Sequence, residues 1–150
     1  MERNEFIKSL GLGVAMVCTG ACFSACGKKS DAPEPNQPNG GGVPSGTTAS
    51  VDLSTQLLTV GASVTVNSIL FIRTATGNTS ASFVATQAVC PHQGGALTFI
   101  QDSNYIQCGL HSSRYTTSGS VLAQPIGGGT TNALKVYPIT VSGNKLTATA

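Results

Sequence analysis

Two short segments in the second half of the chain each pair a cysteine with a histidine, and they constrain the fold more than any other feature. Cys90 is followed two residues later by His92, and Cys108 is followed three residues later by His111. These are the only two histidines, and the other three cysteines all lie within residues 1–26. Thiolate sulfur and imidazole nitrogen are good ligands for transition metals. We therefore expect the fold to bring two loops together around one metal centre.

The spacing helps to distinguish the kinds of site that two cysteines and two histidines can form. Structural zinc sites usually show C-x₂₋₄-C and H-x₃₋₅-H pairs, and these four residues show neither. A Cys90–Cys108 disulfide, or a cysteine nucleophile with His111 as its base, leaves part of the set without a role. A two-iron cluster uses all four residues, with two thiolates on one iron and two neutral imidazoles on the other. Zinc, a disulfide and a nucleophile remain as alternatives to it.

Outside these segments, residues 51–150 are typical of an all-β domain. Abundant Thr, Val and Ser with little charge favours short strands over long helices. Turn signals recur about every 8–12 residues without a helical period, which indicates a small sandwich or barrel. The predicted strands are residues 63–72, 82–89, 97–100, 105–108, 134–141 and 145–148. Pro138 lies inside one of them and predicts an edge strand or a bulge there.

The complete pattern C-x-H-x₁₅-C-x₂-H, in Cys90-Pro91-His92 and Cys108-Gly109-Leu110-His111, resembles that of the Rieske [2Fe–2S] domain. The resemblance covers roughly residues 55–150. It implies a Rieske-type small antiparallel β-sandwich with a cluster-binding subdomain of two loops. It also implies a [2Fe–2S] cluster held by Cys90, His92, Cys108 and His111, with the histidines at the exposed tip and the cysteines beneath. The function that follows from this resemblance is one-electron transfer.

Further residues match positions that surround the cluster in this family. Gly94 and Gly95 are expected to shape the first loop and to direct backbone N–H groups toward sulfide. Ser113 and Tyr115 fall where respiratory members hydrogen-bond the cluster sulfurs, and such bonds raise the reduction potential. Pro125 lies in the segment expected to cover the third side of the cluster. We expect a potential above that of ferredoxin-type members but below the top of the family range.

One departure from the respiratory members concerns a disulfide. Those members carry an additional cysteine in each cluster loop, and Gly95 and Leu110 stand at these places. The chain therefore resembles more closely the ferredoxin and oxygenase branches, or the small subunit of arsenite oxidase.

Residues 1–26 are typical of an export signal followed by a lipidation site. Arg3 and Lys8 precede an apolar run over residues 10–17, which is too short to span a bilayer because about 20 apolar residues are needed. Small residues before Cys22 and Cys26 resemble a bacterial lipobox. We predict acylation at Cys26, with Cys22 as the alternative.

Residues 27–50, rich in Pro and Gly, are predicted to be a flexible tether that precedes the domain at 51–150. The protein is expected to be exported and lipid-anchored at the periplasmic side of the envelope. The expected partners are a cytochrome or an oxidoreductase large subunit. A net charge of +2 without a basic cluster gives no indication of nucleic-acid binding.

The predicted role is that of an electron carrier or oxidoreductase subunit without a recognisable catalytic site of its own. A redox-sensing or structural iron–sulfur module without turnover is the alternative. A lipoprotein adhesion domain with a vestigial motif is a third possibility.

Overall fold

The computed structural model describes residues 42–150, and this part of the chain is all-β with antiparallel pairing throughout. It contains ten strands and two single-turn 3₁₀ helices, at Ser80–Ser82 and Gln101–Ser103. The strands are β1 (Thr48–Asp52), β2 (Ser63–Val66), β3 (Ile69–Arg73), β4 (Phe83–Gln87), β5 (Leu97–Ile100), β6 (Tyr105–Cys108), β7 (Arg114–Tyr115), β8 (Val121–Ala123), β9 (Ile139–Ser142) and β10 (Lys145–Thr149). No helix within the described range is long and apolar enough to cross a membrane.

The strands form three sheets, ordered β1-β10-β9, β2-β3-β4 and β5-β6-β7-β8. The first sheet joins the beginning of the described chain to its end, because Thr48 pairs with Thr149 and Asp52 pairs with Lys145. Cys108 ends β6 in the third sheet, and His111 lies in the loop after it. The Cys90–His92 segment lies between β4 of the second sheet and β5 of the third. The predicted all-β class is confirmed.

Strand β3 explains how the sheets share their interior. All five of its residues are buried, and successive side chains of a strand point to opposite faces. Ile69 and Phe71 join one apolar cluster, with residues of β1 and β10. Leu70 and Ile72 join a second cluster, which contains Cys90 and Cys108. A strand that is covered on both faces shows a continuous apolar run. β3 therefore contributes side chains to both apolar clusters.

The structure corrects the predicted strand at residues 63–72, which is a hairpin of two strands. β2 alternates between exposed and partly buried residues, whereas β3 is buried throughout. Asn67 and Ser68 form the two-residue turn between them, with φ of 48° and 61°. Two consecutive positive φ angles are what a type I′ hairpin turn requires. An Asn-Ser pair is a weaker turn signal than Asn-Gly, which is why the break is not evident from the sequence.

The terminal strands also differ from the prediction in their bounds. β1 begins at Thr48, three residues before the predicted start of the domain. The strand predicted at 134–141 begins only at Ile139, immediately after Pro138. β9 is an edge strand, as the proline indicated, because it pairs with β10 alone. The export signal, the lipidation sites Cys22 and Cys26, and most of the tether lie outside the described residues.

Candidate metal centre

The two cysteine–histidine segments form loops, and each loop is closed by two backbone hydrogen bonds in the same pattern. The N–H of Cys90 donates to the Gly95 carbonyl at 2.7 Å, and the N–H of Gly94 donates to the Cys90 carbonyl at 3.0 Å. In the second loop, the N–H of Cys108 donates to the Ser113 carbonyl at 2.9 Å, and the N–H of Ser112 donates to the Cys108 carbonyl at 3.1 Å. Each loop thus begins at a cysteine and returns to it five residues later. The first follows β4 and the second follows β6.

The fourth residue after each cysteine adopts a left-handed backbone conformation. Gly94 has φ of 75° and Ser112 has φ of 56°. Glycine tolerates this conformation, whereas a residue with a Cβ is strained in it. The Gly94 N–H donates to the Cys90 carbonyl and so closes the loop. That backbone N–H groups of this loop are directed toward sulfide stays a prediction. Sequence reasoning did not identify Ser112, since a serine carries no signal for positive φ.

The two imidazoles lie against each other, and the two thiols lie in one buried apolar cluster. Cys90 and Cys108 are each 1% exposed, and His92 and His111 are partly exposed. The two imidazole ring centroids are 4.9 Å apart, with the ring planes inclined at 73°. The structure therefore brings the two histidines together and the two cysteines together, and each loop supplies one cysteine and one histidine. That all four hold one cluster stays a prediction.

The histidine nitrogens provide a test of whether these residues fit an iron–sulfur cluster. Nδ1 of His92 and Nδ1 of His111 are both buried and have no hydrogen-bond partner. Buried polar atoms are rarely left unpaired, because the desolvation cost is about 1–3 kcal/mol. Two such atoms, next to two free buried thiols, are explained by a group that accepts two nitrogen and two sulfur ligands. The donor set is therefore suited to a [2Fe–2S] cluster of mixed ligation.

Within residues 42–150, no three His, Cys, Asp or Glu side chains are grouped as possible ligands of one metal ion.

Gly95 and Leu110, at the places of the missing disulfide, face each other across the two loops. A Cβ built on Gly95 would lie 3.1 Å from Cβ of Leu110 and 2.7 Å from the Cys108 sulfur. Leu110 therefore contacts the position that a side chain at residue 95 would occupy. The absence of a side chain at position 95 leaves room for the Cys108 sulfur.

Tyr115 links the buried thiol of Cys90 to a residue that the sequence did not single out. Its hydroxyl oxygen lies 3.1 Å from the Cys90 sulfur and 2.7 Å from Oγ1 of Thr131. Burial raises the pKa of the Cys90 thiol. Hydrogen bonds, first among them those from the Tyr115 hydroxyl and the His92 backbone N–H, outweigh burial and hold this pKa below its ordinary value. Burial and the bond to Cys90 raise the pKa of Tyr115 to about 12, so its hydroxyl stays protonated and able to donate.

Ser113 is the second residue predicted to bond a cluster sulfur. It is fully buried, and its Oγ has no partner within the described residues. A hydroxyl in this position next to Cys108 and His111 is available to a sulfur atom of a bound cluster. Its location is therefore consistent with the predicted role.

The segment with Pro125 lies against both histidine loops; that it covers the third side of the cluster stays a prediction. Pro125 is buried, and the N–H of Ile126 donates to the carbonyl of His111 at 2.8 Å. Further along, a Cβ built on Gly129 would lie only 2.8 Å from Nε2 of His92. The segment 124–131, here called the cover loop, thus contacts one histidine through its backbone and approaches the other through a glycine.

Comparison with known proteins agrees with this geometry. A family model described as Rieske [2Fe–2S] domain matches residues 43–138, so the match begins before β1 and ends before β9. No curated protein matches the chain.

Among solved structures, the chain is similar to the plasma membrane Rieske protein PetC3 from the cyanobacterium Synechocystis PCC 6803. The TM-score is 0.53 and the sequences are 20% identical, over 68% of this chain and 99% of that one. This likeness shows the fold. The family match spans more than half of the chain, so the chain belongs to the Rieske [2Fe–2S] domain family and its cofactor is a Rieske-type [2Fe–2S] cluster.

Proposed function

We propose that Cys90 and Cys108 ligate one iron of the cluster and that His92 and His111 ligate the other through Nδ1. The observation that carries this assignment is the pair of buried, unpartnered Nδ1 atoms beside two free buried thiols. The bound cluster supplies one-electron oxidation and reduction. The protein's own residues hold it, exclude water from its sulfur side and leave the outer part of each imidazole toward solvent.

The test is electron paramagnetic resonance of the reduced full-length protein, grown with ¹⁵N-histidine. We expect a Rieske-type spectrum with coupling from two histidine nitrogens. His92→Ala and His111→Ala should each abolish or convert that spectrum, whereas Gln93→Ala, an exposed neighbour in the same loop, should leave it unchanged. A spectrum of all-cysteine ligation, or the absence of an iron signal, would contradict the assignment.

The proposed role is single-electron exchange with another redox protein, a cytochrome or an oxidoreductase large subunit, that docks at the histidine tip. Leu110, next to His111, is 61% exposed, and Ile126 of the cover loop is 71% exposed. Over residues 74–134 only Asp102 and Arg114 are charged. Apolar contact without charge gives little electrostatic steering.

This surface predicts how electron transfer responds to salt. The rate of electron self-exchange between oxidised and reduced protein should change little with ionic strength. Leu110→Ser with Ile126→Ser should slow it without altering the spectrum of the cluster. A steep dependence on salt, or an unchanged rate in the double variant, would contradict electron exchange through this apolar surface.

The proposed location is the periplasmic side of the envelope, with a lipid on Cys26 or Cys22. What supports it is the sequence: a short apolar run with small residues before each cysteine, followed by a Pro- and Gly-rich segment. Labelling of cells with a radioactive fatty acid tests it. Cys26→Ala should abolish the label on the protein, and Cys22→Ala should abolish it only if the alternative site is used. Absence of label from the unmodified protein would rule out the lipid anchor.

A further inference from the structure

Three buried side chains form a continuous row that leads away from the proposed cluster. The Cys90 sulfur, the Tyr115 hydroxyl and Oγ1 of Thr131 are separated by 3.1 Å and 2.7 Å. Thr131 is 7% exposed, and the other two are at most 1% exposed. Because the row is shielded from bulk water, its hydrogen bonds are not readily replaced by solvent.

Proton counting gives the direction of these hydrogen bonds when the cluster is bound. A cysteine sulfur on iron is a thiolate and can only accept, while a tyrosine hydroxyl has a single proton to donate. Tyr115 must therefore use that proton for Cys90. Its contact with Thr131 is then one in which the threonine hydroxyl donates and the tyrosine oxygen accepts.

We propose that Thr131 is a positioning residue that raises the reduction potential of the cluster by acting through Tyr115. Its donated bond orients the Tyr115 hydroxyl toward Cys90 and polarises it, because hydrogen bonds in a chain strengthen one another. A stronger bond to the thiolate favours the more negative, reduced state. This inference rests on the proposed ligation of the cluster by Cys90.

The position of Thr131 is itself held by the cover loop. The N–H of Thr131 donates to the side-chain oxygen of Gln124 at 2.8 Å. The two residues lie at opposite ends of the cover loop, so this bond closes the loop and fixes the threonine beside Tyr115. Loss of the Gln124 side chain should consequently weaken the effect of Thr131 on the reduction potential, although Gln124 is not itself one of the three residues of the row.

The experiment is a double-mutant cycle on the full-length protein with its cluster, read by the reduction potential in protein-film voltammetry. Thr131→Val keeps the shape and removes the hydroxyl, and we expect a lower potential than in the wild type. Thr131→Ser retains the hydroxyl and should restore the wild-type potential. In a Tyr115→Phe background, Thr131→Val should produce no additional shift, because the residue through which it acts is gone.

Thr86→Val is the matched control, since Thr86 is fully buried and its hydroxyl donates to the backbone of Gln87. It should leave the potential unchanged. Gln124→Ala should shift the potential in the same direction as Thr131→Val, by a smaller amount. If Thr131→Val does not retain a cluster, Thr131→Ala removes the same hydroxyl without placing a methyl group against Tyr115, and the same cycle applies.

Two outcomes would overturn the inference: an unchanged potential when the hydroxyl is removed, or an equal shift with Tyr115→Phe present, which would show that Thr131 acts by another route. These outcomes differ from failure of the proposed function. If the wild-type protein lacks a Rieske-type spectrum, the ligand assignment fails. If the spectrum is present and the cycle shows no coupling, only the role of Thr131 fails.

Discussion

The hydroxyl oxygen of Tyr115 lies 3.1 Å from the sulfur of Cys90, although 25 residues separate them along the chain. The contact arises because β7 pairs with β6, which directs Tyr115 into the apolar cluster that also contains Cys90 and Cys108. A phenolic donor is thereby held at a buried thiol, in surroundings where a hydrogen bond to a charged group is strong.

Removal of both predicted hydrogen-bond donors should lower the reduction potential. Ser113→Ala with Tyr115→Phe deletes the unpartnered buried hydroxyl and the one next to Cys90. If each bond favours the reduced state by about 1 kcal/mol, each accounts for roughly 40 mV. Voltammetry of the double variant checks this, with Thr86→Val as the control. An unchanged potential would show that neither hydroxyl bonds the cluster.

A side chain at position 95 should impair cluster binding. The Cβ of Gly95→Ala would lie 2.7 Å from the Cys108 sulfur and 2.9 Å from Cγ of Leu110. We expect less iron per protein and faster loss of the cluster. At Gly109 an added Cβ meets nothing closer than 3.7 Å, so Gly109→Ala should retain full iron content. Adding Leu110→Ala to Gly95→Ala should restore only part of it, because the sulfur contact remains. Wild-type iron content in Gly95→Ala would contradict the tight fit.

The cover loop offers a pair of glycines that separates backbone strain from contact with the histidine. Both Gly127 and Gly129 have positive φ, of 97° and 84°, but only at Gly129 would a Cβ approach Nε2 of His92, at 2.8 Å. Alanine at either position should cost about 1–2 kcal/mol of unfolding free energy. Only Gly129→Ala should also change the paramagnetic resonance spectrum, since His92 has to move. Equal spectra for the two variants would place the loop away from the cluster ligand.

Asp52 should make stability depend on pH in the acid range. Hydrogen bonds from the Ser54 hydroxyl and the Ser54 N–H, at 2.6 Å and 2.8 Å, hold the pKa of this exposed carboxyl below its ordinary value. A carboxyl whose folded pKa is lowered stabilises the fold above its unfolded pKa of about 3.9, and this contribution disappears as pH falls through the folded pKa.

The expected result is that Asp52→Asn reduces stability at neutral pH and that its difference from the wild type shrinks as pH falls below about 4. Urea unfolding at several pH values measures it, and Asp102→Asn controls for the loss of one negative charge. A difference that stays constant with pH would show that the carboxylate charge is not involved.

Much of the fold could be predicted from local pattern. The hairpin with strands at 97–100 and 105–108 has the predicted bounds, because its turn signal is strong and its flanks are apolar. The prediction of one strand over residues 63–72 was wrong, because its turn signal is weak and a continuous apolar run has more than one structural cause. The turn at Asn67 and Ser68 lacks a glycine, and the apolar run of β3 reflects burial on both faces rather than a single long strand.

The four proposed ligands were evident from the sequence because their side-chain chemistry and short spacings are local properties. The chain order also predicted that they belong to two loops. Their convergence depended on pairings between distant strands, through which Cys90 and Cys108 share one apolar cluster. Thr131 and Ser112 became visible only in three dimensions. Neither the contact of the Thr131 hydroxyl with Tyr115 nor the positive φ of Ser112 can be predicted from composition or from hydrophobic periodicity. Tertiary packing alone selects the hydrogen-bond partner of the threonine and the backbone angle of the serine.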